Sequence, residues 1–438
     1  MQELVRQKIV DWLAAPPPPL TRREVRVPGV RGKAVAVIGP RRAGKTTFLW
    51  QVLADRLASG MPRESLLYFN FEDERLAEMR ASDLGLVVEE YYRLHPEFRD
   101  RQRAVFLLDE IQEVAGWEKF ARRLLDTEQV ELFVSGSSAK LLSREVATSM
   151  RGRAMEALVL PFSFREFLRH RGAEPSGSTD RLTKAQRSAL DKHLREYLAC
   201  GGYPEAQRLD QRDRVELLRG YVDTAMLRDV IERHAVSHPV ALRWMLRQLL
   251  GNPGGSFSVN RFYGDLRSQG IPVAKDTLHA YLTHLEDAYL VSTVPIATDS
   301  PRRRMVNARK AYPIDPGLIP VFDRSGKANV GHALETAVAL ELKRRGAEIA
   351  YVRTADRFEV DFLARYPAGK PELIQVCAEV GDPETFERET RALVAAAKEH
   401  RQTSLHLVTL TSDAVHGLPE SVTWHAATTW LLASEERR

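Results

Sequence analysis

Cysteine is nearly absent. Cys200 and Cys377 are the only two in 438 residues, far apart and outside any metal-ligand spacing. That argues against a disulfide framework or a thiolate zinc site and points to a reducing, cytoplasmic setting. Long apolar runs are missing too. No stretch reaches the roughly 18 to 20 uninterrupted apolar residues of a transmembrane helix, so no membrane partner is expected. The N-terminal MQELVRQKIVDWLAAPPPP breaks its apolar residues with charges, which predicts a short amphipathic helix stopped by proline rather than a signal peptide. A large excess of one charge is also lacking. The 64 basic and 59 acidic residues leave a net +5, too little to argue for a polyanion by itself. Low complexity is confined to Pro16–Pro19, and there is no internal repeat.

What is present is a globular composition, 44% hydrophobic and 28% charged, in a chain long enough for about two to four domains. After the proline run, strand and helix patterns alternate as in an α/β domain. KAVAVIG (33–39), SLLYFNFE (65–72), AVFLLDE (104–110), VELFVSGSS (130–138) and AMEALVLPFS (154–163) read as strands, with helices Lys45–Ala58, 117–126 and Phe164–Arg171 among them. Strands joined by helices imply right-handed crossovers and a parallel sheet. Beyond a polar loop at Ala173–Thr179 the pattern is helical from Lys184 to about Leu250, broken at GGYP (201–204). From Gly331 it returns to α/β: helix 332–345, strands near 347–354, 358–366 and 372–379, helix 383–400 and strand 404–411.

Gly39, Pro40, Arg41, Arg42, Ala43, Gly44, Lys45, Thr46 and Thr47 complete a phosphate-loop pattern, G-x-x-x-x-G-K-[ST], between a strand and a helix. Glycines let backbone N–H groups curl around a phosphate, and the helix adds its positive end. Lys45 is expected to reach the β- and γ-phosphates of ATP, and the Thr46 hydroxyl to ligate Mg²⁺. Asp109 and Glu110 close the apolar strand AVFLLDE. Asp109 is the candidate for the metal shell and Glu110 for polarising the attacking water. At the next strand end Ser137 is a candidate γ-phosphate sensor, and Ser138 an N-cap. Arg151 and Arg153, in MRGRA, are candidate arginine fingers for a neighbouring subunit, which would require a ring or spiral of identical chains.

GPRRAGKTT, LLDEIQ, SGSSAKLLS, MRGRA and PFSFREFL together resemble a family of prokaryotic AAA-type ATPases with a C-terminal domain of unknown function. GGYPEA, LRDVIERH and YPIDPGL resemble recurrent segments of that second domain. The resemblance implies strand order 5-1-4-3-2.

Between the two α/β regions, Ser256–Gly270 and Ala274–Tyr289 follow helix-turn-helix grammar. Leu278, Tyr281, Leu282, Leu285 and Tyr289 form one apolar face, and Lys275, His279 and Thr283 lie away from it. A β-hairpin bearing Arg302, Arg303, Arg304, Arg309 and Lys310 is expected as a basic, DNA-contacting wing. At the end, Glu335, Glu359-Val-Asp361 and Leu373-Ile-Gln375-Val-Cys377 resemble the PD-(D/E)xK nuclease core. Glu335 and Asp361 match it, but Gln375 and Cys377 stand where that family has an acid and a lysine, implying an inactive site. The expected organisation is therefore an α/β chain with an N-terminal helix and linker (1–20) and an ATPase core (21–172). A helical lid (173–235), a winged helix (236–325) and a nuclease-like domain (326–438) follow. The leading expectation is a Mg²⁺-dependent ATPase that remodels or translocates DNA, branched DNA included. The alternatives are a nucleotide-controlled switch docking a protein partner, and an ATP-licensed nuclease.

Overall fold

The computed structural model describes residues 1–99, 102–136, 150, 152–177, 179–323, 329–378, 383–411 and 417–433. Contacts divide the chain into two compact units, Met1–Leu160 and Pro161–Arg438.

The first unit is built on five parallel strands: β1 (Ala34–Ile38), β2 (Leu66–Asn70), β3 (Ala104–Asp109), β4 (Val130–Ser135) and β5 (Ala154–Leu158). Their order is β2-β3-β4-β1-β5, the expected order read from the opposite edge. Every residue of β1 and β3 is buried. Parallel strands covered on both faces read as continuous apolar runs, and this is why these two were plain in the sequence. Phe48, Leu49, Val52 and Leu53 of the helix Lys45–Ala58 join Val35, Val37, Val105, Leu107 and Phe133 in one core. The N-terminal helix Gln2–Ala14 buries Val5 and Ile9 completely.

The second unit opens with the helix Phe164–His170, closed by a capping box in which Ser163 and Glu166 each satisfy the other's backbone N–H. Phe162, Phe164, Phe167 and Leu168 share a core with Leu334, Val338, Phe362 and Trp430, so the expected boundary at 172 falls inside this unit. Helices Lys184–Cys200, Gln211–Ala225 and Pro239–Leu250 follow. Then come β6 (Ser256–Phe257), helices Val259–Ser268 and Lys275–Asp287, β7 (Val291–Val294) and β8 (Arg309–Pro313). These strands form an antiparallel sheet in the order β6-β8-β7. The rest is a mixed sheet, β13-β12-β11-β10-β9, from β9 (Glu348–Arg353), β10 (Glu359–Arg365), β11 (Glu372–Cys377), β12 (Ser404–Thr409) and β13 (Val422–Ala426), with helices Val330–Arg344 and Pro383–Glu399. Strand β13 and the helix Ala427–Leu431 were not anticipated. Among the described residues no helix is long and apolar enough to cross a membrane.

Two expectations need correction. Arg302, Arg303 and Arg304 are not on a hairpin strand but on the short helix Pro301–Val306 between β7 and β8. Pro301 at its first position and the Ser300 hydroxyl, which accepts from the Arg303 N–H at 3.3 Å, start that helix. Lys310 is not on a basic surface. It is 4% exposed, its ammonium within 2.8 Å of Asp361, 3.0 Å of Glu359 and 3.3 Å of Glu335.

Candidate active site

The chain leaves β1 at Ile38 and turns through Gly39 (φ 147°), Arg42 (φ 62°) and Gly44 (φ 95°) before the helix Lys45–Ala58 begins. Gly39 also lies against the end of β5: a Cβ there would sit 1.9 Å from the Val159 carbonyl oxygen. The Lys45 ammonium donates to the Gly39 and Pro40 carbonyls at 3.1 and 3.0 Å, which holds it over the loop. Thr46 and Thr47 occupy the helix's first turn and are half-buried.

Arg23 supports the loop from beneath. It is 5% exposed; Nη1 donates to the Ala43 carbonyl at 2.7 Å and Nη2 to that of Leu160. Gln51, on the helix after the loop, brackets the Arg23 backbone: its Oε1 accepts from the N–H at 2.6 Å, and its Nε2 donates to the carbonyl at 3.1 Å. Sequence reasoning missed Arg23, since a lone arginine outside the motif carries no local signal.

Asp109 ends β3, fully buried, and each of its oxygens accepts a hydroxyl: Ser135 Oγ at Oδ1 and Tyr68 Oη at Oδ2, the latter at 2.8 Å. Ser135 also accepts from the Glu110 N–H at 3.3 Å. One hydroxyl thus spans both acidic residues, and Glu110 adopts left-handed backbone (φ 53°, ψ 39°). Its Oε2 accepts from Gln112 Nε2 at 2.5 Å. Glu72, just past β2, has its carboxyl pushed above the ordinary range by burial and then by Glu110 and Glu113, with Arg41 opposing. Tyr68, Ser135 and Glu72 were not among the anticipated site residues.

Ser137, Ser138 and Arg151 lie outside the described residues. Arg153 precedes β5, and its carbonyl accepts from the Ala34 N–H at the start of β1. The phosphate loop leaves the other end of that strand, so Arg153 is not brought to the loop of its own chain. Its guanidinium pairs with Asp126.

In the second unit, Lys275 and His279 are exposed and Thr283 half-buried on one helix, and Arg302–Arg304 are exposed on another. Arg304 pairs with Glu348 at 2.8 Å, and Arg309 lies 3.7 Å from Glu286. Glu335, Asp361 and Gln375 do converge. Tyr312 Oη donates to Glu335 at 2.7 Å, Gln375 Oε1 accepts from the Asp361 N–H at 3.2 Å, and Gln375 Nε2 donates to Glu389 at 2.6 Å. The expected vacancy at Cys377, which is buried in β11, is met from elsewhere: Lys310 of β8 brings the cluster its ammonium. Burial lowers the Lys310 pKa, but Asp361, Glu335 and Glu359 more than reverse this and keep it protonated.

A strand–loop–helix with a buried lysine, in a sheet where a carboxylate ends the strand one place removed from the loop strand, can hold a nucleotide's phosphates. The hydroxyl of Thr46 and the carboxylate of Asp109 are hard oxygen donors, which suits Mg²⁺ shared with those phosphates.

Residues 31–168 match the model of an AAA domain, and residues 191–327 that of a domain of unknown function, DUF8612. Together with the sheet order, this defines an AAA-type P-loop ATPase. The chain is 32% identical over 394 residues to the uncharacterized protein MJ1544 of Methanocaldococcus jannaschii, covering 89% of this chain and 84% of that one. It belongs to the same family as that protein. An uncharacterized protein of Haemophilus influenzae is 29% identical over 330 residues, 75% of this chain and 78% of its own. Among solved structures, the Walker-type ATPase PABY2304 of Pyrococcus abyssi aligns with 74% of this chain and 95% of its own, at 14% identity and a TM-score of 0.39. Cdc6p from Pyrobaculum aerophilum aligns with 66% and 86%, at 14% identity and a TM-score of 0.24. Both likenesses are too distant to bear on mechanism.

Proposed function

We propose that the protein hydrolyses ATP with Mg²⁺ and couples this to binding and remodelling of DNA. For the hydrolytic half, the observation that carries the reading is the joining of Asp109 and Glu110 through the Ser135 hydroxyl, at the end of the strand that pairs with the phosphate-loop strand. Lys45 would exchange its bonds to Gly39 and Pro40 for phosphate oxygens, and Thr46 with Asp109 would hold the metal. Mg²⁺, when bound with ATP, would offset charge on the β- and γ-oxygens. Glu110, oriented by Gln112, would take the proton of the attacking water. Arg153 would serve a neighbouring chain, because it lies at the far end of its own sheet.

For the DNA half, the support is topological. Helix, strand, two helices and two strands, with β6-β8-β7 pairing and the short helix Pro301–Val306 set between the last two strands, follow the order of a winged helix. Lys275, His279, Arg302 and Arg303 are exposed there. Gln375 in place of an acidic metal ligand, its amide bonded to Asp361 and Glu389, favours a scaffold over a nuclease in the last domain. One observation favours a protein partner instead: Val240 and Trp244, one turn apart on the helix Pro239–Leu250, are 57% and 49% exposed.

The test is ATP hydrolysis with and without single-stranded, duplex and four-way-junction DNA at several salt concentrations. Glu110→Gln should lower the rate by about 100-fold or more. Arg302→Ala/Arg303→Ala/Arg304→Ala should lose the DNA response and retain the basal rate. A Glu110-dependent rate that no DNA changes at low salt would replace DNA with a protein partner.

A further inference from the structure

Tyr68 lies on β2, where Tyr68 pairs in register with Leu107 and Asn70 with Asp109. Its hydroxyl is the donor to Asp109 Oδ2, while Ser135 takes Oδ1. The ring is buried between two tryptophans, its centroid 4.5 Å from Trp12 and 6.1 Å from Trp50. Trp50 belongs to the helix that starts at the phosphate loop. Trp12 belongs to the N-terminal helix Gln2–Ala14, and three contacts dock that residue and its helix. The Arg63 guanidinium lies 4.6 Å from the Trp12 ring, Arg63 Nη2 donates to the Trp12 carbonyl at 2.6 Å, and Lys8 pairs with Asp73 at 2.5 Å.

We infer that Tyr68 is a positioning residue for the metal-binding carboxylate, and that the N-terminal helix controls its placement through Trp12. This rests on the reading of Asp109 as a metal ligand. A carboxylate that accepts a hydrogen bond on each oxygen is fixed in rotation, so the lone pairs left for a metal point one way; removing such an outer partner typically weakens metal binding about 10- to 100-fold. A phenol suits the task because its hydroxyl is a neutral hydrogen-bond donor at physiological pH. If Tyr68 served packing alone, its hydroxyl would need only some acceptor. Here the acceptor is the carboxylate that closes β3, and the ring is wedged against the N-terminal helix at Trp12.

The decisive measurement is Mn²⁺ affinity of the full chain bound to a non-hydrolysable ATP analogue, read from the electron paramagnetic resonance of free Mn²⁺. Tyr68→Phe, which preserves the ring, should weaken Mn²⁺ binding about 10-fold while metal-free analogue affinity and melting temperature stay near wild type. Trp12→Leu should shift Mn²⁺ affinity in the same direction. Asp109→Asn separates the two ideas. If it weakens Mn²⁺ binding and Tyr68→Phe does not, Tyr68 is a packing residue and the inference is overturned. If Asp109→Asn itself has no effect, the metal-ligand reading falls first. A Tyr68→Phe effect without any from Trp12→Leu removes the helix from the argument.

Discussion

Asp315 is buried beside three glycines, and its carboxylate accepts from the backbone N–H groups of Gly202 at 2.6 Å and Gly317 at 2.9 Å. A Cβ on Gly201 would lie 1.7 Å from Asp315 Oδ1, and one on Gly317 2.4 Å from the Cys200 carbonyl oxygen. Phe162 donates its N–H to the Gly202 carbonyl at 2.7 Å. The segments PFSF, GGYP and YPIDPG, scattered along the chain, therefore meet at one carboxylate. Burial pushes the Asp315 pKa up to about 7, against the pull of its two backbone hydrogen bonds. A carboxyl whose pKa is raised on folding stabilises the fold fully below its ordinary pKa, and that contribution is lost as pH climbs through the folded value. The window is thus about pH 4 to 7. In urea unfolding from pH 5 to pH 8, the stability of wild type relative to Asp315→Asn should fall up to about pH 7 and then level off, because the amide has no proton to lose. A difference that ignores pH would show that Asp315 is ionised throughout.

The phosphate loop shows how an element's path depends on one missing atom. Gly39 combines a φ of 147° with contact against Val159, whose N–H donates to the Ile38 carbonyl at 2.7 Å. Gly39→Ala cannot keep both the turn and the β1–β5 pairing, and strain of about 1–3 kcal/mol or more is expected. Melting temperature and ATP affinity should both drop. Gly29→Ala, at a site with ordinary φ and nothing within 4 Å, should change neither. Equal behaviour of the two variants would refute the steric argument. Such elements were legible because their requirements are local: glycines, a lysine and flanking apolar runs within a few residues. The helix Pro301–Val306 carried its own Ser-Pro start signal, yet three consecutive arginines suggested a wing strand. Strand β13 was missed because VTWHA is short and only its first and last residues are buried. Tyr68, Ser135 and Arg23 were illegible for another reason. Their roles depend on which strands become neighbours, and periodicity in one segment says nothing about that.

At the scale of the molecule, Lys310 shows a non-local contact replacing a local one. The strand that resembles the nuclease lysine position carries Cys377, while an ammonium arrives from β8 of the other sheet. It joins Glu335 of the helix Val330–Arg344 to Glu359 and Asp361 of β10. Three carboxylates around one ammonium leave excess negative charge, and burial, then Asp361, pushes Glu335 upward in pKa. Lys310 offsets only part of this charge, and removing it leaves the carboxylates facing one another unopposed. Lys310→Met keeps most of the side-chain volume but leaves the carboxylates unpaired, and breaking a buried pair this way typically costs about 3–5 kcal/mol. Combining Lys310→Met with Glu335→Gln and Asp361→Asn removes the two more deeply buried charges, leaving the more exposed Glu359, and should restore much of that loss. Denaturant unfolding of the two variants distinguishes a charge clamp from simple packing. Recovery in the triple variant means that the ammonium's task is to neutralise the cluster and bind the two sheets together. Equal destabilisation in both would mean that the aliphatic stem of Lys310 supplies the stability instead, and that the carboxylates are indifferent to it.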